Sequence, residues 1–282
     1  MFVADLLSSS TILVTGGGTG LGRAMAERFA SVGARIALLG RRPEPLIETV
    51  AALRAAGAQA AWATADVRDP AAVAAAIDAL EAELGPINGL VNNAAGNFLS
   101  ASEDLSPNAF DSVVRIVLNG TFHVTRELGA RWIERKSGGS MLNIVTTYAW
   151  MGSAFVLPSA CAKAGVLAMT RSLAVEWATY GIRVNAIAPG PFPTEGAFSR
   201  LMAGDMADEA KAAIPAGRFG EPIELANLAT YLMSPGAAYV TGDCVTIDGG
   251  EWLRNGQEFS RYTGWPRENV KAIFQMMKPK KG

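Results

Sequence analysis

Thr15-Gly16-Gly17-Gly18-Thr19-Gly20-Leu21-Gly22 is the segment whose residue types and spacing speak most directly of chemistry. Glycines at this density let backbone amides approach a bound group. A helix opening at such a turn aims free N–H groups and the positive end of its dipole at an anion, which suits a pyrophosphate. The order is TGxxxGxG rather than the more widespread GxGxxG, and tight structural turns also use glycine. Context separates the two readings. An apolar strand, Thr11–Thr15, is predicted before the turn and a helix, Leu21–Ser31, after it. The second strand then runs into Leu38-Leu39-Gly40-Arg41-Arg42. A dinucleotide-binding unit usually carries an acid here for the ribose hydroxyls. Two arginines suit charge-assisted bonds to a 2′-phosphate instead; a solvated charge pair at a helix start is the plainer alternative. Gly16, Gly18, Thr19, Gly20, Leu21, Gly22 and Arg41 are therefore expected to bind a dinucleotide, with NADPH preferred over NADH. Asp66-Val67 and Asn92-Asn93-Ala94-Ala95-Gly96 follow the third and fourth strands, on the carboxyl edge where open α/β sheets bind ligands.

The elements that must position these groups follow from pattern. Strands are predicted at Thr11–Thr15, Arg35–Leu39, Gln59–Thr64, Gly89–Asn92, Met141–Thr146, Arg183–Ile187 and Cys244–Ile247. They are apolar throughout rather than alternating, as strands covered on both faces are. Helices are predicted at Leu21–Ser31, Pro43–Ala56, Pro70–Leu84, Pro107–Glu134, Ser159–Tyr180 and Pro222–Met233. Gly33, Gly57, Gly85 and Gly181 fall where C-terminal caps belong, and Pro70, Pro107 and Pro222 near helix starts. The alternation predicts an α/β chain: a single-domain Rossmann fold with a doubly wound parallel sheet and helices on both faces. At 282 residues, length alone would also allow two domains. No linker or repeat divides the chain, so residues 1–282 are read as one domain with a C-terminal extension from about residue 251.

Composition excludes several classes. The formal charge is −1, giving no electrostatic case for nucleic acid or an acidic membrane. The basic tail Lys278, Lys280 and Lys281 reads as a solvated end. Two cysteines far apart and one histidine supply neither a metal site nor a Ser-His-Asp triad. No apolar run is long enough to span a bilayer. Met1–Ser10 lacks a basic region and carries only a short apolar patch, so no signal or transit peptide is expected. The unpaired thiols fit a cytoplasmic protein.

The sequence resembles the short-chain dehydrogenase/reductase family. TGGGTGLG at 15–22, DV at 66–67, NNAAG at 92–96, Lys163, RVNAIAPG at 183–190 and DGG at 248–250 occur in the family's order through nearly the whole chain. The resemblance implies cofactor contacts at Asp66, Val67, Asn93, Lys163, Pro189, Gly190 and Phe192. It also exposes a departure. Counting back from Lys163, the family's tyrosine position holds Ser159 and its serine position Thr146; the usual asparagine of the long fourth helix is Val117. Asn119 is two positions off and is expected to face elsewhere.

Either the site binds cofactor without turnover or the catalytic acid has moved. Tyr148 lies just beyond the fifth strand, and Asn97 directly follows NNAAG. For Tyr148 the plain alternative is aromatic packing, and for Asn97 a turn residue. A narrower resemblance favours relocation. NNAAGNF at 92–98, LSPNAF at 105–110, VLNGTF at 117–122, TTYA at 146–149, PSACAKAGV at 158–166 and PGPFPTEGAFSR at 189–200 are similar to mitochondrial-type 2,4-dienoyl-CoA reductases, as is GGEWLRNGQEF after the last strand. It implies reduction of a 2,4-dienoyl-CoA to a 3-enoyl-CoA in unsaturated fatty-acid oxidation. Tyr148 and Asn97 would stabilise the thioester oxyanion, and Lys163 would hold the nicotinamide ribose and strengthen Tyr148 as a donor. Ser159, one helical turn from Lys163, would touch substrate or water; a helix N-cap is its other reading. Arg68, Phe98, Ser106 and Arg200 would contact an acyl-CoA thioester, and Arg41 can serve both ligands; each arginine also reads as a surface ion pair. The stretch 189–204 reads as a substrate lid, and a homotetramer paired through the helices at 107–134 and 159–180 is implied. Two alternatives stand beside this one: another short-chain reductase acting on an enoyl thioester, a 3-oxoacyl thioester or a small carbonyl, and a non-catalytic NADPH-binding protein.

Overall fold

The computed structural model describes residues 2–194, 206–256 and 263–276. Short apolar runs form β1 (Thr11–Thr15), β2 (Arg35–Gly40), β3 (Ala60–Thr64), β4 (Gly89–Asn92), β5 (Gly139–Ile144), β6 (Ile182–Pro189) and β7 (Cys244–Ile247). All are parallel, in the order β3-β2-β1-β4-β5-β6-β7. Strand order reverses between β1 and β4, so the crossovers leave in opposite directions and open a crevice at the carboxyl ends.

The crossovers are α1 (Gly20–Ala30), α2 (Pro43–Ala55), α3 (Pro70–Leu84), α4 (Pro107–Val114), α5 (Gly120–Arg135), α6 (Tyr148–Met151) and α7 (Leu157–Glu176). Further along lie α8 (Met206–Ala213), α9 (Pro222–Met233), α10 (Glu251–Gly256) and α11 (Arg267–Met276). Ile12, Val14, Ile36 and Leu38 pack on one face with Phe29, Leu46 and Leu225. Leu13, Ala37 and Leu39 pack on the other with Ile77, Leu128 and Trp132. Both faces are covered, which is why the strands read as unbroken apolar runs.

Three boundaries differ from the pattern and matter for the site. β5 ends at Ile144 instead of Thr146, which leaves residues 145–147 as a connection and lets Tyr148 open a short helix. The long helix expected over 107–134 is interrupted by a π turn, Arg115–Asn119. The break falls just before Gly120, where a Cβ would come within 2.5 Å of the Val67 side chain. Glycine there allows the helix to seat closely on the exit of β3. Finally, α7 begins at Leu157, two residues before the predicted start, and stops at Glu176; a 3-10 turn, Ala178–Tyr180, carries the chain to Gly181 at φ +71°.

A buried polar ladder locks together the strands whose exits carry Asn97 and Tyr148. Asn92 Nδ2 on β4 donates to Asn143 Oδ1 on β5 (2.9 Å) and to Thr125 Oγ1 on α5 (2.8 Å). Asn143 Nδ2 donates in turn to Thr170 Oγ1 on α7 (2.8 Å). Asn143 is 1% exposed, so its partners cannot recruit water if it is removed. Asn143→Leu is expected to lower unfolding stability by about 2 kcal/mol, because the Asn92 amide and the Thr170 hydroxyl each lose one buried partner while keeping Thr125 Oγ1 and Val166 O. Chemical denaturation measures this, and a loss under about 0.5 kcal/mol would contradict the ladder's importance.

Candidate active site

The glycine turn is held from the neighbouring strand. Thr15 Oγ1 accepts from the backbone N–H groups of Asn93 and Ala94, both at 3.0 Å. Asn93 Nδ2 donates to Thr15 O (3.1 Å) and Gly16 O (3.3 Å). Asn93, expected to touch cofactor, thus spends its amide on shaping the turn. Gly16 and Gly20 take φ of +65° and +53°. A Cβ on Gly22 would lie 2.4 Å from Gly16 O. Thr19 occupies the N-cap of α1 without a side-chain cap bond, so the first-turn amides keep their capacity for an anion. At the end of β2, Arg41 and Arg42 are exposed and form no ion pair among the described residues. The cradle and this pair of cations fit a phosphorylated dinucleotide.

Asp66 follows β3 and meets Arg68, whose guanidinium lies 2.6 Å from Asp66 Oδ2. That hydrogen bond, chiefly, holds the Asp66 carboxyl below its usual range. Arg68 therefore takes the surface ion-pair arrangement in this state. Both residues border a cavity of about 480 Å³ that is also lined by Asp69, Arg115, Asn119 and His123. His123 Nδ1 is 2.9 Å from Val67 O. Asn119 faces this cavity, as its two-position offset predicts, while Val117 is fully buried with Val113, Val145 and Val166. At the end of β6, a Cβ on Gly190 would meet Asp248 Cβ at 2.6 Å. Phe192 is buried against Gly220, so its ring belongs to the core.

Near the switch point α6 and α7 bring three side chains together. Tyr148 OH and Ser159 Oγ are 3.1 Å apart. Ser159 and Lys163, one turn apart on α7, are both buried. Ser159 is the third residue of α7 and Val156 holds the N-cap, so the capping alternative for Ser159 is corrected: the helix starts earlier. Lys163 Nζ donates to Ile144 O at the end of β5. Burial pushes its pKa down to about 8. Thr146 Oγ1 is buried without a partner among the described residues. Thr146 stands where the family has a serine; the substitution keeps the hydroxyl, and its burial without a partner shows that it is unspent.

Asn97 Oδ1 accepts from Phe98 N at 2.9 Å, a local turn bond of the kind weighed for it. Its two amide N–H donors are not used by that bond. Phe98 packs partly buried against Val113 and Val145. Ser106 is exposed and caps α4, accepting from Ala109 N at 3.2 Å, so its hydroxyl has a structural task. Arg200 and most of the expected lid, 195–204, lie outside the described residues.

Among the described residues no helix is long and apolar enough to cross a membrane. A parallel seven-stranded dinucleotide fold with a lysine-bearing helix beside the switch point defines an oxidoreductase class. The chain belongs to the short-chain dehydrogenase/reductase family, and residues 16–251 match the family described as enoyl-(acyl carrier protein) reductase. It is 43% identical over 249 residues to a Bacillus subtilis protein named as a probable 2,4-dienoyl-CoA reductase, (2E)-enoyl-CoA-producing; the match covers 88% of this chain and 98% of that one. It is 45% identical over 250 residues to a Caenorhabditis elegans protein named as a probable 2,4-dienoyl-CoA reductase 3, (3E)-enoyl-CoA-producing, covering 87% and 81%. A Burkholderia cenocepacia gluconate 5-dehydrogenase, solved in complex with NADP and tartrate, superposes with a TM-score of 0.83 at 32% identity, covering 89% of this chain and 98% of that one. The chain is a short-chain oxidoreductase, similar to proteins named as 2,4-dienoyl-CoA reductases.

The buried lysine makes a signed prediction for the unliganded protein. Its folded pKa of about 8 lies below the ordinary 10.5. Between those values the unfolded chain binds a proton that the folded chain does not, so stability rises with pH across that window. Below it the cost of burying the ammonium is complete. Lys163→Met should flatten the pH 8–10.5 rise relative to wild type, by a difference on the order of 3 kcal/mol. Parallel stability–pH curves for the two proteins would contradict it.

Proposed function

We propose that the protein reduces 2,4-dienoyl-CoA thioesters, with Tyr148 as the principal oxyanion donor and NADPH as the preferred reductant. The observation that carries this reading is the Tyr148–Ser159 contact at 3.1 Å, on the helix turn that also bears the buried Lys163. The residues at 16–22 would hold the pyrophosphate, with Arg41 and Arg42 supporting the preference for a 2′-phosphate. When bound, the nicotinamide supplies a hydride.

The residues of this chain handle charge. As electrons pass through the conjugated system, negative charge collects on the thioester oxygen. Tyr148 OH donates to that oxygen, and the Asn97 amide, with its own oxygen already engaged by Phe98 N, is left to donate as well. Thr146 adds a hydroxyl with no competing partner. Ser159 orients the phenol. Lys163 adds positive charge behind it, supported by the strand-end carbonyl of Ile144. No side chain need protonate the oxygen, because the proton goes to carbon. Protonation at the α-carbon gives the 3-enoyl product, and the two relatives' names differ on that point.

Arg68 and Arg115, flanking one cavity, would meet the CoA phosphates once Asp66 is released from Arg68. Exposed Phe122, Val175 and Tyr180 on or after α5 and α7 offer apolar surface for a homotetramer.

Tyr148→Phe should lower kcat with 2,4-hexadienoyl-CoA by about 10²–10³, the cost of one oxyanion donor. Loss of NADPH absorbance reads it. Near-full activity would remove Tyr148 from the mechanism, and turnover of 3-oxoacyl-CoA alone would replace the reaction.

A further inference from the structure

Among the described residues two non-glycine residues have positive φ, Lys136 at 54° and Phe155 at 64°. Lys136 is the left-handed C-cap of α5, a position that helix ends commonly require. Phe155 has no such task. An aromatic residue in this region stores strain that the surroundings must overcome. The product of that strain is a ring left 60% exposed.

The ring is not isolated. Trp150, Met151, Leu157 and Leu99 are also exposed large apolar side chains. Phe155 O accepts from Ser100 N at 2.9 Å, tying this segment to the stretch that carries Asn97. Trp150 and Met151 share α6 with Tyr148, and Leu157 lies two residues before Ser159. The Trp150 ring meets Trp252 of α10 edge-on, with centroids 5.5 Å apart. No Asp, Glu, Lys, Arg or His occurs between Lys136 and Lys163. Exposed apolar side chains therefore lie on the helix that bears Tyr148 and on the uncharged segment that follows it.

We propose that Phe155, Trp150, Met151 and Leu99 form the wall that binds the acyl chain of the substrate and sets its preferred length. The inference rests on the thioester reading above, because an acyl chain is the apolar group covalently attached to the atom that Tyr148 would engage. A flexible hydrocarbon needs contact area without hydrogen bonds, which this surface supplies, and each buried methylene strengthens binding by about fourfold. Holding Phe155 in the left-handed region directs an aromatic ring over the path of the chain, where a relaxed backbone would send it elsewhere.

The test compares 2,4-decadienoyl-CoA with 2,4-hexadienoyl-CoA by kcat/KM, and decanoyl-CoA with hexanoyl-CoA by calorimetry. Wild type should favour the longer ligand in both assays. Phe155→Gly removes the ring and relieves the backbone, so it should unfold no more readily than wild type; Phe155→Gly and Trp150→Ala should each reduce the long-to-short ratio at least about fivefold. Tyr239→Ser, a fully exposed side chain before β7, should leave the ratio as in wild type. Ratios equal in wild type and both wall variants overturn the inference. So does a variant that changes only oligomeric state in size-exclusion chromatography, which would make this face a subunit contact. Absence of dienoyl turnover together with a length-dependent affinity that Phe155→Gly abolishes would sink the proposed reaction and leave the wall standing.

Discussion

A lysine ammonium shut away from solvent must find its support inside the fold, and Lys163 finds the carbonyl of Ile144, the last residue of β5. That single bond constrains much of the site. It requires β5 to end where it does, α7 to pass directly over the strand end, and the 145–147 connection to turn back between them. Tyr148 emerges from this turn already within reach of Ser159. The cost of burying the cation shows in its pKa of about 8. A cofactor ribose and a developing oxyanion nearby would each lower that cost, so the site favours negative charge.

The same arrangement explains why the family's usual tyrosine position can hold a serine. Moving the phenol from α7 to the start of α6 keeps it hydrogen-bonded to the old position while changing the direction from which it approaches. In carbonyl reduction the acid must deliver its proton to oxygen, so alignment with the lysine is demanding. In conjugated-thioester reduction the oxygen needs only preorganised donors. Under the proposed reaction the spare hydroxyl of Thr146 and the amide of Asn97 would join such a donor set, with Asn97 Oδ1 already accepting from Phe98 N.

The architecture was largely legible in sequence because both of its signals are local. Apolar runs of strand length and Gly or Pro at helix ends predicted β1, β4, β7, α3 and α9 with their observed bounds. The glycine turn was readable for the same reason. Two of the misplaced boundaries are set by tertiary contact: the end of β5, where Lys163 reaches the Ile144 carbonyl, and the π turn before Gly120, where Val67 limits the approach. Site residues were named from motif register, but their partners were not accessible that way. Nothing in sequence spacing says that Asn93 spends its amide on Gly16, that Ser106 caps α4, or that Arg68 folds back on Asp66. The strain at Phe155 is likewise a property of backbone conformation alone.

The central claim is that charge is gathered on the thioester oxygen while both new C–H bonds form at carbon. Its most direct test is the fate of isotope. With 2,4-hexadienoyl-CoA and NADPH deuterated at the transferred position, NMR of the product should find that deuterium on the δ-carbon, with a solvent-derived proton on the α-carbon and the remaining double bond between C3 and C4. Deuterium on the carbonyl carbon or the β-carbon would contradict the account.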